Sequence, residues 1–459
     1  MKRKLFKHQI EGIKFLRERK KALLADEQGI GKTMQAVIAA GEESNGTLVI
    51  CPASMKYTWE REIHIVYPED VVQIMGEAMH EDAPAWYVIN YDVLKKHKVH
   101  IQTLIENEKL DTVILDEAHY IKNSSIRTKE AIRICKKMDR VYLLTGTPIL
   151  NRPMELYNLL KAMEHRLALD WMTYIRRYCG AFQRRNPYTG GMFWDTSGAK
   201  NIPELREKMS DIFLRREKKE VLDLPDKIRT TRTLILTKEW QKEYDNAWDN
   251  YLAFLEENPP DNMDNILQAK HLVELQKLKQ VCSQAKIETI TKDVIDMVEA
   301  GQKVVVFTQY KETLRTLSAT LGKKKIGKVT LDGSTKPKDR QAVVDSFQND
   351  EKIKVFIGNI KAAGVGITLT AASKVVFADL DWTPAVHEQA EDRCHRIGTT
   401  ELVNAYYYVA KDTLEEDIIE MLRMKESIIR KLIKGEDTKT FKDNIVKDIA
   451  MRSMQKLST

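Results

Sequence analysis

Short apolar runs alternate with helix-length amphipathic stretches in two separate blocks, and this pattern restricts the fold more than any other feature of the chain. In the first block, residues 5–150, the runs are Ala22–Ala25, Thr47–Cys51, Trp86–Ile89, Thr112–Leu115 and Arg140–Leu144. In the second, residues 287–434, they are Lys303–Phe307, Lys328–Leu331, Ile353–Ile357, Lys374–Phe377 and Asn404–Val409. Alternation of this kind predicts mostly parallel sheets covered by helices. The expected fold is therefore α/β, with two parallel-sheet lobes of similar size, which 459 residues accommodate.

Two helix-rich stretches interrupt the plan. Residues 153–215 carry several Trp, Tyr and Arg around a Gly-rich loop, Asn186–Gly198, and residues 238–286 are charged and helical in period, broken at Asn258–Asn265. Each reads as a protrusion from its lobe. The first lobe core is expected over 1–152, a passage between lobes over 216–237, and the second lobe core over 287–435. The passage contains Pro225 and then the strand-like run TRTLILT. A last helix is expected to start at the Asp412/Thr413 cap and end at Gly435. Residues 436–459 read as a polar, loosely held tail.

Lys plus Arg exceeds Asp plus Glu by 74 − 67 = 7. That excess permits a polyanionic partner without demanding one. The five cysteines form no CxxC pair and no Cys/His zinc spacing. A scattered, odd set suits a reducing compartment. No apolar run reaches the roughly 18 residues of a bilayer span, and the basic start lacks the apolar stretch of a signal peptide. An intracellular protein without a membrane partner is expected.

After the run Ala22–Ala25 come Asp26, Glu27, Gln28, Gly29, Ile30, Gly31, Lys32 and Thr33, and then a helical pattern from Met34. Strand, Gly-rich loop, Lys-Thr and helix is the order a phosphate cradle requires. Gly29 and Gly31 let backbone N–H groups turn onto phosphate oxygens, and the helix N-terminus adds positive charge. Lys32 can reach β- and γ-phosphates, and Thr33 can ligate Mg²⁺. The fit to G-x-x-x-x-G-K-[ST] is imperfect, since Asp26 occupies the first Gly position; alone, the loop also fits a simple turn before a helix.

A second feature favours the nucleotide reading. The run Thr112–Leu115 ends in Asp116 and Glu117, followed by Ala118 and His119. Asp116 is placed to hold Mg²⁺ and Glu117 to polarise the attacking water. His119 is a candidate coupling residue, within reach of Thr145 or Thr147 on the next strand end. In the second block, Arg393 and Arg396 lie three apart on an expected helix and so share a face. They either reach a phosphate or belong to a solvated surface helix.

These residues, in this order, resemble the Swi/Snf-type ATPases, a branch of the superfamily-two helicases with a DEAH box. The resemblance rests on DEQGIGKT at 26–33, ICPASMKYTW at 50–59, INYDVL at 89–94, DEAHYIKN at 116–123, LLTGTPILNRPMELYNLL at 143–160 and FLRREKKEVLDLPDK at 213–227. It continues through VVVFTQY at 304–310, LDGST at 331–335, the segment 358–385 and EQAEDRCHRIGTT at 388–400.

The resemblance implies two RecA-like lobes binding ATP with Mg²⁺ and double-stranded DNA, acting as a monomer and in a minimal form without accessory modules. It implies that Gln9 reads the adenine edge, that residues 26–34 contact the nucleotide, and that Arg393 and Arg396 are arginine-finger candidates. For DNA it points to Lys122, Asn151, Thr335 and Trp382, and more weakly to Ser54, Trp59 and Thr370; Trp59 and Trp382 fit packing equally well. Such contacts would go mainly to phosphate and sugar, with little sequence preference. Two positions depart from the family's pattern. Gln28 replaces an apolar residue, at a point where backbone atoms are expected to face phosphate. Thr399 and Thr400 follow where Gln is common.

The expected function is a DNA-stimulated ATPase translocating on duplex DNA, with fork remodelling or strand reannealing compatible. The alternatives are a strand-separating DNA or RNA helicase and a non-hydrolysing nucleotide-switch scaffold. Intact Lys32, Glu117 and both arginines argue against the scaffold.

Overall fold

The computed structural model describes residues 4–146, 152–185, 190–259, 265–364, 366–434 and 449–450. The chain divides into two compact bodies, one formed by residues up to 185 and by 191–224, the other chiefly by 225–427, with the division between Leu224 and Pro225.

The first body is built on strands β1 (Lys21–Leu24), β2 (Thr47–Cys51), β3 (Val72–Ile74), β4 (Trp86–Asn90), β5 (Thr112–Asp116) and β6 (Arg140–Leu144). Strands β7 (Phe182–Arg185) and β8 (Met192–Asp195) form a separate antiparallel hairpin, and the short β9 (Phe213–Leu214) closes one edge of the main sheet. The sheet order is β3-β4-β2-β5-β6-β1-β9, every pairing parallel. Strands β2 and β5 are buried along their whole length, which is why they read as continuous apolar runs rather than alternating ones. Helices Lys7–Arg19, Lys32–Gly41, Lys56–Val66, Lys98–Glu106 and Ile126–Cys135 accompany the sheet.

The order matters for chemistry because β1, β6 and β5 are consecutive neighbours. Their C-terminal ends deliver the 25–31 loop, Thr145 and the Asp116–Glu117 pair to one edge of the sheet, where ligands bind in open parallel sheets.

The second body carries β10 (Lys227–Leu234), β11 (Val304–Thr308), β12 (Lys328–Leu331), β13 (Val355–Asn359), β14 (Lys374–Phe377) and β15 (Val403–Ala410), again all parallel, in the order β10-β15-β14-β11-β13-β12. Helices Lys238–Glu257 and Asn265–Ala285 form the expected charged stretch. A buried ion pair, Lys286 Nζ to Glu415 Oε1 at 2.6 Å, fixes the start of the last helix. Thr413 caps that helix by accepting from Glu415 N at 3.2 Å, and the helix runs Leu414–Lys434.

Three expectations need correcting. The Gly-rich loop over 186–198 is partly strand, since β8 lies within it. The helix expected to carry Arg393 and Arg396 is Pro384–Glu391, so both arginines sit in the turns beyond its end. The tail 436–459 lies outside the described residues except for Ile449 and Ala450. These two are buried against the second body's core rather than loosely held.

Candidate nucleotide site and the family it belongs to

Gly29 and Gly31 adopt φ of 83° and 96°, the left-handed region that a side chain would strain. They turn the chain from β1 into the helix starting at Lys32. Lys32 Nζ donates to the carbonyls of Asp26 at 2.6 Å and Glu27 at 3.1 Å, closing the loop on itself. Burial lowers the Lys32 pKa, against the pull of Glu117, Asp26 and Asp116. Carbonyl oxygens holding an ammonium are exchangeable for phosphate oxygens, so the cradle fits a nucleotide.

The acidic pair is held from several sides. Trp59 Nε1 donates to Asp116 Oδ2 at 2.8 Å, Glu117 N to Asp116 Oδ1 at 3.0 Å, and the Tyr91 hydroxyl to the Asp116 carbonyl at 2.8 Å. Glu117 has φ of 50°, an uncommon backbone state for a non-glycine residue. His119 Nδ1 lies 3.3 Å from Glu117 Oε2 and 3.3 Å from Thr145 Oγ1. The expected Thr145 contact is thus present, while Thr147 lies outside the described residues.

Burial, followed by the charge of Glu117, pushes Asp116 up to about 6. Burial also works to raise Glu117, but His119, Lys32 and Gln28 outweigh it and hold Glu117 down at about 2. A buried carboxylate pair with one member pushed up favours a cation beside it. Glu117 Oε2 is buried without a well-formed hydrogen bond. Asp116 thus offers a carboxylate to a cation, and Glu117 offers an acceptor to a water.

Several expected contacts have other roles. The Asp26 carboxylate is fully buried and turned away from the loop, paired with Arg216 (Nη2–Oδ2 2.5 Å, Nε–Oδ1 3.0 Å). Glu27 Oε2 accepts from Lys218 N at 2.8 Å, and the side chains of Ile30 and Met34 are buried. Gln28 is not a bystander: its Nε2 donates to Glu117 Oε1 at 3.2 Å. Gln9 is buried beside the loop, its Nε2 3.4 Å from the Ile30 carbonyl.

Trp59 is 0% exposed, so it packs and orients Asp116 and cannot touch DNA. Lys122 is half-buried and paired with Glu155 at 3.2 Å. Ser54 is half-buried, and Asn151 lies outside the described residues.

Arg215 and Arg216, quoted in the sequence only within a motif, both act here. Arg215 Nη1 donates to the carbonyls of Ala25 and Gly146 at 3.0 Å each, joining the loop to the end of β6. Arg216→Met would leave Asp26 buried without its cation. A loss of about 3–5 kcal/mol of stability is expected. An unchanged urea midpoint would refute it.

In the second body, Arg393 is 6% exposed. Its Nε donates to the Gln389 carbonyl at 3.0 Å, and both Arg393 Nη1 and Arg396 Nη1 lie 3.4 Å from the Ile367 carbonyl. Neither belongs to a solvated helix face. Thr399 shapes this turn, donating to the Cys394 carbonyl at 2.6 Å and accepting from Arg396 N at 3.0 Å. The segment is pinned to β10 by Lys227 and Arg229, which contact Glu391 at 2.9 and 2.7 Å. Burial would raise Glu391, but these two cations hold it at about 2. Trp382 is half-buried with Lys279 Nζ over its ring at 4.3 Å. Thr335 and Thr370 are half-buried, accepting from Asp332 N and Gln348 Nε2.

A family model described as SNF2-related domain matches residues 8–287, and one described as Helicase conserved C-terminal domain matches 285–398. The chain belongs to the SNF2-related family. Similar to this SNF2-related chain are DNA annealing helicase and endonuclease ZRANB3 of Bos taurus, 32% identical over 96% of the chain and 41% of the relative. So is SWI/SNF-related matrix-associated actin-dependent regulator of chromatin subfamily A-like protein 1 of Xenopus laevis, 34% identical over 93% and 44%. The chain thus spans about two fifths of the length of these curated relatives. The Sulfolobus solfataricus SWI2/SNF2 ATPase core in complex with dsDNA is 26% identical over 99% of this chain and 97% of that one, with a TM-score of 0.42. Among the described residues no helix is long and apolar enough to cross a membrane, and no group of three or more His, Cys, Asp and Glu could hold a metal ion.

Proposed function

We propose that this SNF2-related chain is a DNA-stimulated ATPase that moves along double-stranded DNA. One observation carries the reading. Within the first body, the Lys32 loop and the Asp116–Glu117 pair meet at neighbouring strand ends, linked by the Gln28–Glu117 hydrogen bond.

Lys32 exchanges its two carbonyl partners for β- and γ-phosphate oxygens. Glu117 Oε2 orients a water for in-line attack on the γ-phosphorus and accepts its proton as the bond to ADP breaks. Thr33 and Asp116 would hold Mg²⁺, which supplies charge neutralisation on the phosphates. Trp59 and Tyr91 keep Asp116 in place, and Gln28 keeps Glu117 in place. Gln9 serves adenine. Arg396 and Arg393 are the candidates for neutralising the charge that builds on the γ-phosphate. Lys122, Thr335, Thr370, Trp382 and Ser54 contact the phosphates and sugars of the DNA, whereas Trp59 is buried away from it. Reannealing of strands, which the name of the DNA annealing helicase relative suggests, fits a motor of this kind acting as a monomer inside the cell, and remodelling of forks is compatible with it.

Steady-state ATPase assays with duplex DNA, single-stranded DNA and RNA, beside triplex displacement, test the reading. Duplex DNA is expected to stimulate most and to support displacement, and Lys32→Ala to abolish both. Stimulation by RNA or single strands alone would replace the proposal with a strand-separating helicase.

A further inference from the structure

Trp382 stands in a turn whose backbone is fixed from three sides. Asp381 N donates to His387 Nε2 at 2.9 Å, Asp381 Oδ1 accepts from Thr383 N at 3.0 Å, and Asp381 Oδ2 accepts from Gln309 Nε2 at 3.3 Å. The indole ring needs a hold of its own. It is half-buried, and the Lys279 ammonium sits over it, 4.3 Å from the ring centre.

Lys279 comes from a distant element, the helix Asn265–Ala285, and is 1% exposed. That helix turns one stripe toward the chain following β11. Gln276 Nε2 donates to the Tyr310 hydroxyl at 2.9 Å and Lys279 Nζ to Gln309 Oε1 at 3.3 Å, while Ser283 and Gln284 meet the Thr313 hydroxyl at 2.7 and 3.0 Å. Residues three and four apart share a helix face. A buried ammonium held by one amide oxygen and one ring face has little water to lose to the ring, which is where a cation–π contact is strongest.

We infer that Lys279 is a positioning residue for the duplex: its ammonium holds the Trp382 ring in the orientation that meets the DNA backbone, and so ties the helix Asn265–Ala285 to the DNA contact. The inference rests on the reading of Trp382 as such a contact. The hold is titratable. Burial outweighs the pull of Asp381, Asp379 and Glu415, and with the opposing charge of Lys286 it lowers Lys279 to about 8. Tyr310 and Cys282, which sense the same carboxylates, are kept neutral by burial, as is His387 behind Asp381. Below about pH 8 the ammonium is present over the ring, and above it the charge is lost.

Fluorescence anisotropy of the nucleotide-free protein with a labelled duplex, at fixed salt and across pH values on either side of about 8, tests this. Wild-type affinity is expected to fall by up to about tenfold as pH rises through that window. Lys279→Arg keeps a cation that does not titrate, and should hold the affinity and flatten the profile. Lys279→Met should bind about tenfold more weakly at every pH. Trp382→Ala should be weak and flat as well, and adding Lys279→Met to it should cost no more than about a further twofold, because the two side chains act as one.

A wild-type profile as flat as that of the Arg variant would overturn the inference. So would a full additional loss on combining Lys279→Met with Trp382→Ala, which would make Lys279 a packing residue. Should Lys279→Met unfold early in a thermal scan, the wild-type, Arg and Trp382→Ala profiles still decide. Unchanged affinity in Trp382→Ala would also overturn it, whereas the ATPase reading is judged separately, by duplex stimulation of the wild type.

Discussion

Replacing Arg396 with Ala is expected to slow duplex-stimulated ATP turnover by about 10³–10⁵-fold, the range an arginine finger is worth in phosphoryl transfer. The two second-body arginines are not equivalent. Arg393 is nearly buried and held by the Gln389 carbonyl at 3.0 Å. Arg396 is half-buried, and its guanidinium contact to the Ile367 carbonyl is long, at 3.4 Å. A long contact is cheap to exchange for a charged phosphate oxygen. The expected signature is a loss in kcat with nucleotide affinity held within a few-fold, and no rescue by Lys, which lacks the planar fork. Arg393→Ala should also lower thermal stability, because it removes support from the Ile367 segment. Wild-type-like turnover of the Arg396 variant would remove that residue from the reaction.

Glu117→Gln is expected to lower turnover by about 10²–10⁴-fold while retaining ATP binding. The amide keeps an oxygen for Gln28 Nε2 but cannot accept a proton. The change has a second consequence, readable by pH. Asp116 sits at about 6 because of burial and, next, the charge of Glu117. Removing that charge should move Asp116 downward. In the nucleotide-free wild type, the Asp116 carboxyl is expected to lose its proton as pH rises through about 6, and in the variant at lower pH. Infrared or NMR titration of the carboxyl checks the direction; an upward shift would show that Glu117 does not act on Asp116 through its charge.

Much of the fold was legible because parallel strands buried on both faces are continuous apolar runs. Thr47–Cys51, Arg140–Leu144 and Lys374–Phe377 have the same limits in sequence and structure, and so does the partly exposed edge strand Lys328–Leu331. Val72–Ile74 and Phe213–Leu214 are too short to carry a period, and both join an edge of the sheet only through tertiary packing. The hairpin was hidden by composition, since Phe182–Arg185 is polar and its partner strand lies among glycines. In the site, Lys32, Asp116 and Glu117 could be named from local order. Their supports could not, because Trp59 to Asp116, Gln28 to Glu117 and Arg216 to Asp26 join residues 57, 89 and 190 positions apart. Such pairs leave no local spacing to detect.

Asp26, standing where phosphate loops often carry glycine, gives the Arg216 pair a mechanical meaning. The start of the loop that forms the cradle is tethered to Arg216, a few residues ahead of the division at Leu224 and Pro225. The Arg216 and Lys218 backbone amides donate to the Asp26 and Glu27 carboxylates as well, so the opening of the cradle is held in place by chain some 190 positions further along the sequence.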